Sequence, residues 1–115
     1  MHQALLDFHR ITSWPTFHEE CQREFGFPTF YGKNMNAWID CLTYMTHGGD
    51  GMSRFVLKGN DVLTIRVLHA KDPSYEQREI LEALKDSIAF VNGRYVAAGD
   101  IERLRLEEVT TDGVS

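Results

Sequence analysis

Asp40 and Asn36 carry the side chains whose chemistry is most informative in this sequence. They are four residues apart, so on a helix they lie one turn apart on the same face. A carboxylate accepts charge-assisted hydrogen bonds from Arg, Lys and His, and an amide oxygen accepts without a charge. The pair is therefore chemically able to bind a basic group. The alternative, a solvated helix surface, is what the pattern alone favours.

A catalytic group around Cys41, His47 and Asp50 is a competing interpretation, as is one at His69. A thiol nucleophile needs a base and an orienting acid within hydrogen-bond reach. No spacing places such partners beside Cys41, which we interpret as a buried packing residue. His47 and Asp50 lie in a Gly-rich stretch typical of a solvated loop. We therefore expect no catalytic residue.

The spacing of potential metal ligands predicts no metal or cofactor site. None of the five histidines lies in an HxH or HxxxH arrangement, and Cys21 and Cys41 form no CxxC pair. Gly48, Gly49 and Gly51 lack the Lys-Ser/Thr ending and the preceding strand of a phosphate loop. Two buried free thiols would fit a reducing cytosol.

Residues 28–45 predict a loop followed by the helix that carries Asp40. Gly32 favours a tight turn, and Asn34 is a strong N-cap residue. The helix should begin near Met35 and end near Met45, before the Gly48-Gly49 pair. Its apolar side recurs at spacings of three and four, in Trp38, Cys41, Leu42 and Met45.

Two further helices are predicted. The first follows Ser13, has Pro15 in its first turn and ends at Gly26. The second begins at Pro73-Ser74 and ends at Gly99. Gly93 lies inside it, so a break at Asn92-Gly93 is an open alternative to one long helix. Their apolar stripes are Trp14, Phe17, Cys21 and Phe25, and then Ile80, Leu84, Ile88, Val91, Tyr95 and Ala98.

Strands are predicted at residues 3–8, 61–69 and 103–109, where aliphatic or alternating runs occur. Residues 46–60 read as a mobile Gly-rich connector with a short ordered patch at Phe55, Val56 and Leu57. The order β-α-α-β-α-β favours helical crossovers between parallel strands. We therefore predict an α/β fold with a small three-stranded parallel sheet packed with helices. Residues 1–110 should form a single domain, and residues 111–115 a frayed C-terminal tail.

Composition limits the class of protein. The 115 residues carry a net charge of -5, with 43% hydrophobic and 25% charged residues, as expected of a globular domain. The acidic balance argues against nucleic-acid binding and suits a basic partner, although acidity more commonly serves solubility. No apolar run would span a membrane, and the first residues show no targeting segment. We expect a cytoplasmic protein, monomeric when free.

Residues 28–45 resemble the barstar family of bacterial ribonuclease inhibitors. The resemblance is carried by a Pro, an aromatic-Tyr-Gly turn, and then Asn34, Ala37, Asp40, Cys41, Leu42 and Thr43 in the family's order. The order of elements elsewhere agrees with it. It implies the barstar-like fold, no enzymatic activity, and a function as an intracellular ribonuclease inhibitor or toxin immunity protein.

The resemblance also implies how a partner is bound. Asp40 would enter the active site of a basic ribonuclease in place of a substrate phosphate, supported by the helix and the loop before it. Tyr31 has an alternative interpretation as a core residue that wedges the turn. The predicted partner-binding residues are Phe30, Tyr31, Asn36, Ile39, Asp40, Thr43 and Tyr44.

Four positions depart from the family's pattern. Asn36 and Lys33 stand where the family has acids, Ile39 where it has Trp, and Tyr44 where it has Gly. These changes make the surface less acidic and alter its shape, which should redirect its specificity. The alternative function is therefore a barstar-fold binding module for a different protein, without ribonuclease inhibition. Trp38, one position from the family's Trp, is expected in the core.

Overall fold

The computed structural model describes residues 2–47 and 51–109. In chain order its elements are β1 (His2–Asp7), α1 (Trp14–Phe25), α2 (Met35–Thr43), β2 (Leu63–Leu68), α3 (Tyr75–Ala97) and β3 (Leu104–Val109). This confirms the predicted α/β class and element order. The predicted helix stop at Gly48-Gly49 and the predicted tail lie outside the described residues.

The three strands form one parallel sheet with β2 in the centre, in the order β1-β2-β3. Asp7 at the end of β1 aligns with Leu68, and Leu68 with Val109 at the end of β3. The carboxyl ends of the strands therefore meet at one edge of the sheet. β2 is shorter than the predicted residues 61–69 at both ends, and it stops before His69, whose backbone lies in the left-handed region with φ of 59°.

Local capping sets the bounds of α1 as the sequence predicts. Ser13 and Thr16 form a reciprocal capping box at its start. Gly26 ends the helix with φ of 66°, a conformation that favours glycine. A Cβ at Gly26 would also lie 2.8 Å from the Cβ of Arg54, so two constraints select glycine here.

The last helix, α3, is continuous through Gly93, which decides between the two predicted alternatives. Ser74 and Gln77 form the capping box at its start. Five members of the predicted stripe are buried: Ile80, Leu84, Ile88, Val91 and Tyr95. The sixth prediction, Ala98, is wrong, because Ala98 is the C-cap beyond the helix and is exposed.

One hydrophobic core includes side chains from all six elements, among them Leu6, Phe17, Leu42, Ile65, Leu84 and Leu104. The connector after α2 joins it through Phe55 and Leu57, which are buried, whereas Val56 is exposed. The Leu57 backbone N–H donates to the Met45 carbonyl at 2.8 Å. Within the described residues, no helix combines the length and apolar character that crossing a membrane requires.

Candidate functional site

The helix α2 is fixed at both ends by side-chain hydrogen bonds. At its start, Asn34 Oδ1 accepts from the Ala37 backbone N–H at 2.8 Å, as the predicted N-cap requires. At its end, the Tyr95 hydroxyl donates to the Leu42 carbonyl at 2.7 Å and accepts from the Met45 N–H at 3.1 Å. The helix therefore ends at Thr43, earlier than the predicted Met45, because Met45 bonds to α3 instead of continuing the helix.

The two sides of α2 differ as expected for a helix that presents polar groups. Trp38, Cys41 and Leu42 are buried, and Met45 just beyond the helix is 2% exposed, which confirms the predicted stripe. The opposite side exposes Asn36 and Asp40. Between the two sides lies Thr43, half-buried, whose hydroxyl donates to the Ile39 carbonyl at 2.7 Å. The carboxylate of Asp40 is thus presented on a rigid support.

Phe30 and Tyr31 point in different directions from the loop before α2. Phe30 is 76% exposed, whereas Tyr31 is 6% exposed and bonds through its hydroxyl to Nδ1 of buried His18 at 2.7 Å. Burial raises the pKa of the Tyr31 hydroxyl. Burial and then the charge of Lys33 lower the pKa of His18, so both groups are uncharged at neutral pH. Tyr31 is therefore a core residue that wedges the turn, as in the alternative interpretation of the sequence.

Ile39 also lies in the core, at 8% exposure. Ile39 and Tyr31 therefore support the candidate surface from beneath, and Phe30, Asn36, Asp40 and Tyr44 form its exposed part. Partner contact by the full predicted set stays a prediction.

The turn into α2 takes its left-handed residue from Lys33, with φ of 56°, and not from Gly32. A Cβ at Gly32 would lie 3.3 Å from Nδ2 of Asn34, a tight contact that a shift of a few tenths of an ångström would relieve. An open cleft of about 480 Å³ borders this turn and is lined by Trp14, Pro15, His18, Lys33, Asn34 and Met35. Its lining combines aromatic, apolar and cationic side chains.

Arg94 of α3 lies next to Asp40, and sequence reasoning missed it. Its Nη1 donates to Asp40 Oδ1 at 3.3 Å and to Thr43 Oγ1 at 3.3 Å. The guanidinium carbon lies 4.9 Å from the centre of the Phe90 ring. The Asp40 side chain remains 58% exposed, so the carboxylate is accessible to a partner. Arg94 is 54 residues from Asp40, and no local pattern connects them.

The exposed end of α2 opens into a second cleft, of about 420 Å³. It is lined by Thr43, Tyr44, Thr46, His47, Arg94, Tyr95, Ala98, Gly99 and Asp100. Tyr44 is 43% exposed at its rim, and the His47 ring meets it edge-on with centroids 5.8 Å apart. Acidic, basic and aromatic groups therefore alternate across a short distance, an arrangement that suits a protein partner.

In the part of the chain that the structure describes, no arrangement of side chains around Cys41 supports the catalytic interpretation. Cys41 is 3% exposed, and burial followed by the Asp40 charge raises the pKa of its thiol to about 11. It is therefore protonated at neutral pH and is a poor nucleophile. His47 contacts Tyr44 rather than a thiol, and Asp50 lies outside the described residues.

Comparison with known proteins agrees with the fold. No curated protein gives a significant match to the chain. A family model does match: residues 1–107 fit the model described as barstar, the barnase inhibitor. Members of this family are inhibitors rather than enzymes. Because the match spans nearly the whole chain, this protein belongs to the barstar family.

Proposed function

We propose that this protein is an intracellular inhibitor of a basic ribonuclease, acting as an immunity protein, and that it binds its target through α2 and the loop before it. The observation that carries the proposal is the exposed carboxylate of Asp40 at the centre of a helix fixed at both ends. Membership of a family described as barnase inhibitors supports an inhibitory function.

Ribonuclease active sites suit such a carboxylate. They gather Arg, Lys and His to bind RNA phosphate, and a carboxylate accepts charge-assisted hydrogen bonds from the same groups. The barstar–barnase pair is itself a standard measured case of an aspartate that dominates an interface. The net charge of -5 favours encounter with a basic enzyme. No reaction on this chain is needed, because occupation of the site excludes RNA.

The target should differ from barnase itself. Asn36 provides an acceptor without a charge, Lys33 adds a cation to the turn, and Ile39 is buried. Besides Lys33 in the turn, Arg94 adds another cation to this surface, in direct contact with Asp40. A basic ribonuclease that also has acidic groups near its active site would complement this mixed surface better.

The same features favour a second candidate function, the binding of a protein that is not a ribonuclease. The surface of such a partner would contact both Asp40 and Arg94, and would therefore carry both an acidic and a basic group. The two candidates share α2 and its loop, so they differ in the partner and not in the binding residues.

Calorimetric titration of a panel of basic microbial ribonucleases tests the proposal, with inhibition of RNA cleavage as a parallel measurement. The proteins compared are wild type, Asp40→Ala and the control Glu79→Ala, which removes the same charge from an exposed position near the start of α3. We expect Asp40→Ala to weaken binding by about 2 kcal/mol or more and the control to have little effect.

If no ribonuclease in a broad panel is bound, the second candidate is favoured. Affinity capture from the native host, with Asp40→Ala as the matched negative bait, then identifies the partner. Equal affinity of wild type and Asp40→Ala for a bound ribonuclease would contradict the proposed mode of binding.

A further inference from the structure

Asp7, His9 and His69 meet at the carboxyl edge of the sheet, away from the candidate partner surface. Asp7 ends β1, and His69 follows β2 directly, so the parallel register brings them together although they are 62 residues apart. Nδ1 of His69 lies 2.9 Å from Asp7 Oδ1. The His9 and His69 rings stack with centroids 3.8 Å apart and an angle of 7° between their planes.

The carboxylate of Asp7 is held in place at the centre of this cluster. The His9 backbone N–H donates to Asp7 Oδ1 at 2.9 Å, in addition to the bond with His69. Both bonds end on the same oxygen, so they fix the orientation of the carboxylate.

The backbone around His69 adopts an uncommon conformation. His69 has φ of 59° and Asp72 has φ of 56°, a region that non-glycine residues rarely occupy. Such a conformation costs free energy of order 1 kcal/mol and is often found at functional sites. Here it turns the His69 ring back over the end of β1, where it reaches Asp7 and His9.

We propose that Asp7, His9 and His69 form a binding site for a borderline divalent metal ion such as Zn²⁺ or Ni²⁺. Two imidazole nitrogens and one carboxylate oxygen are typical ligands of these ions, whereas Mg²⁺ and Ca²⁺ prefer oxygen ligands throughout. One ligand atom from each residue lies within 4.8 Å of the others. Exposure of both histidines leaves the remaining coordination positions to water.

Binding requires the side chains to rearrange, and His69 must either ligate through Nε2 or give up its hydrogen bond to Asp7. Ligand bonds of about 2.0–2.1 Å in a tetrahedral site bring ligand atoms to about 3.3 Å from one another. Parallel rings direct their nitrogen lone pairs side by side, so one ring must turn out of the stack for both to reach one ion. Both rings are exposed and can turn about their side-chain torsions.

The site is independent of the proposed inhibitory surface. Gln77, in the first turn of α3, donates to the carbonyls of Phe8 and Ile11 on either side of His9. Arg94 lies on the same helix about 25 Å further along its axis, at 1.5 Å per residue. Failure of ribonuclease binding therefore leaves this proposal unaffected, and the reverse also holds.

The test is calorimetric titration of the tag-free, chelator-treated full chain with ZnCl₂ and NiCl₂, followed by NMR of the histidine side chains. The variants are His9→Gln and His69→Asn, the latter because Asn tolerates a left-handed backbone. His47→Gln removes an exposed histidine outside the cluster and is the matched control. Thermal unfolding verifies that each variant is folded.

We expect saturation at one ion per chain, with the His9 and His69 resonances shifted and no response to MgCl₂. Each cluster variant should weaken binding at least about tenfold, and the control should not. Binding that is absent in the wild type, unchanged in both cluster variants, or equally weakened by His47→Gln would overturn the proposal. His9→Gln keeps the test valid if His69→Asn fails to fold.

Discussion

Arg94 donates a hydrogen bond to Asp40 across the contact between α3 and α2, with Nη1 3.3 Å from Oδ1. The residue best placed to bind a basic partner is therefore already paired with a cation of its own chain. Both side chains are more than one-third exposed, so the pair contributes little to stability. Its consequence concerns binding, because a partner's Arg or Lys must share Asp40 with Arg94 or displace it.

Removing this competition should strengthen binding to a basic ribonuclease. We expect Arg94→Gln to increase the association rate and the affinity, with the larger gain at low ionic strength, because charges interact over longer distances there. The free energy of unfolding should change by less than about 1 kcal/mol. Surface plasmon resonance at two salt concentrations measures the association rate and the affinity. Urea denaturation measures the free energy of unfolding.

Arg78→Gln is the matched control, since it makes the same change in net charge at an exposed position in the first half of α3. The difference in affinity between the two variants therefore measures the effect of Arg94 on binding by Asp40, apart from the change in net charge. A lower affinity of Arg94→Gln than of the control would show instead that Arg94 positions Asp40 or contacts the partner directly.

Tyr95 should stabilise the end of α2 through its hydroxyl. Tyr95→Phe keeps the ring but removes the group that bonds to both the Leu42 carbonyl and the Met45 N–H. Two buried backbone groups would lose their partner, so we expect a loss of about 1–3 kcal/mol in the free energy of unfolding by urea denaturation. Tyr75→Phe, at a position that is 75% exposed, should cause almost none. Equal stability of the two variants would contradict this role.

Two glycines should respond in opposite directions to alanine. Gly93 lies inside α3 with open space around it, so Gly93→Ala should stabilise the protein by about 0.5–1 kcal/mol through helix propensity. Gly26→Ala should destabilise it by about 1 kcal/mol or more, because φ is 66° and Arg54 leaves no room for a Cβ. Thermal unfolding of both variants measures the effects, and destabilisation by Gly93→Ala would indicate that the helix is not continuous there.

Stability should decrease at alkaline pH in part through Cys41, beside the contribution of the more deeply buried Cys21. Its thiol pKa rises from 9.0 to about 11 on folding, so between these values the unfolded chain loses its proton before the native one does. The contribution is fully present below pH 9 and is lost as the pH rises to about 11. Urea denaturation at pH 8, 9, 10 and 11 measures this decrease. Cys41→Ala should make the decrease smaller, and an unchanged slope in that variant would assign it to other groups.

Much of the architecture followed from residues that act within one helical turn. Ser13, Gly26, Asn34 and Ser74 cap their helices by contacts with residues at most four positions away, and the sequence pattern therefore located these ends closely. The apolar stripes predicted the buried faces for the same reason. The family resemblance of residues 28–45, found in the sequence, was confirmed by the match over residues 1–107.

The end of α2 shows where local rules stop being sufficient. The pattern continues to Met45, but the helix ends at Thr43 because Tyr95, 50 residues away, supplies a competing hydrogen bond. Ala98 failed as a core prediction because spacing alone does not reveal that the chain has already left the helix there.

By itself, the sequence determined the order of elements, the caps and the exposed position of Asp40 on its helix, since each depends on neighbours along the chain. Tertiary structure decided what surrounds those groups. The pairing of Arg94 with Asp40 depends on how α3 packs against α2, and the cluster of Asp7, His9 and His69 depends on the parallel register of β1 and β2. Contacts between residues more than 50 positions apart are set by packing and register, which no spacing along the chain encodes.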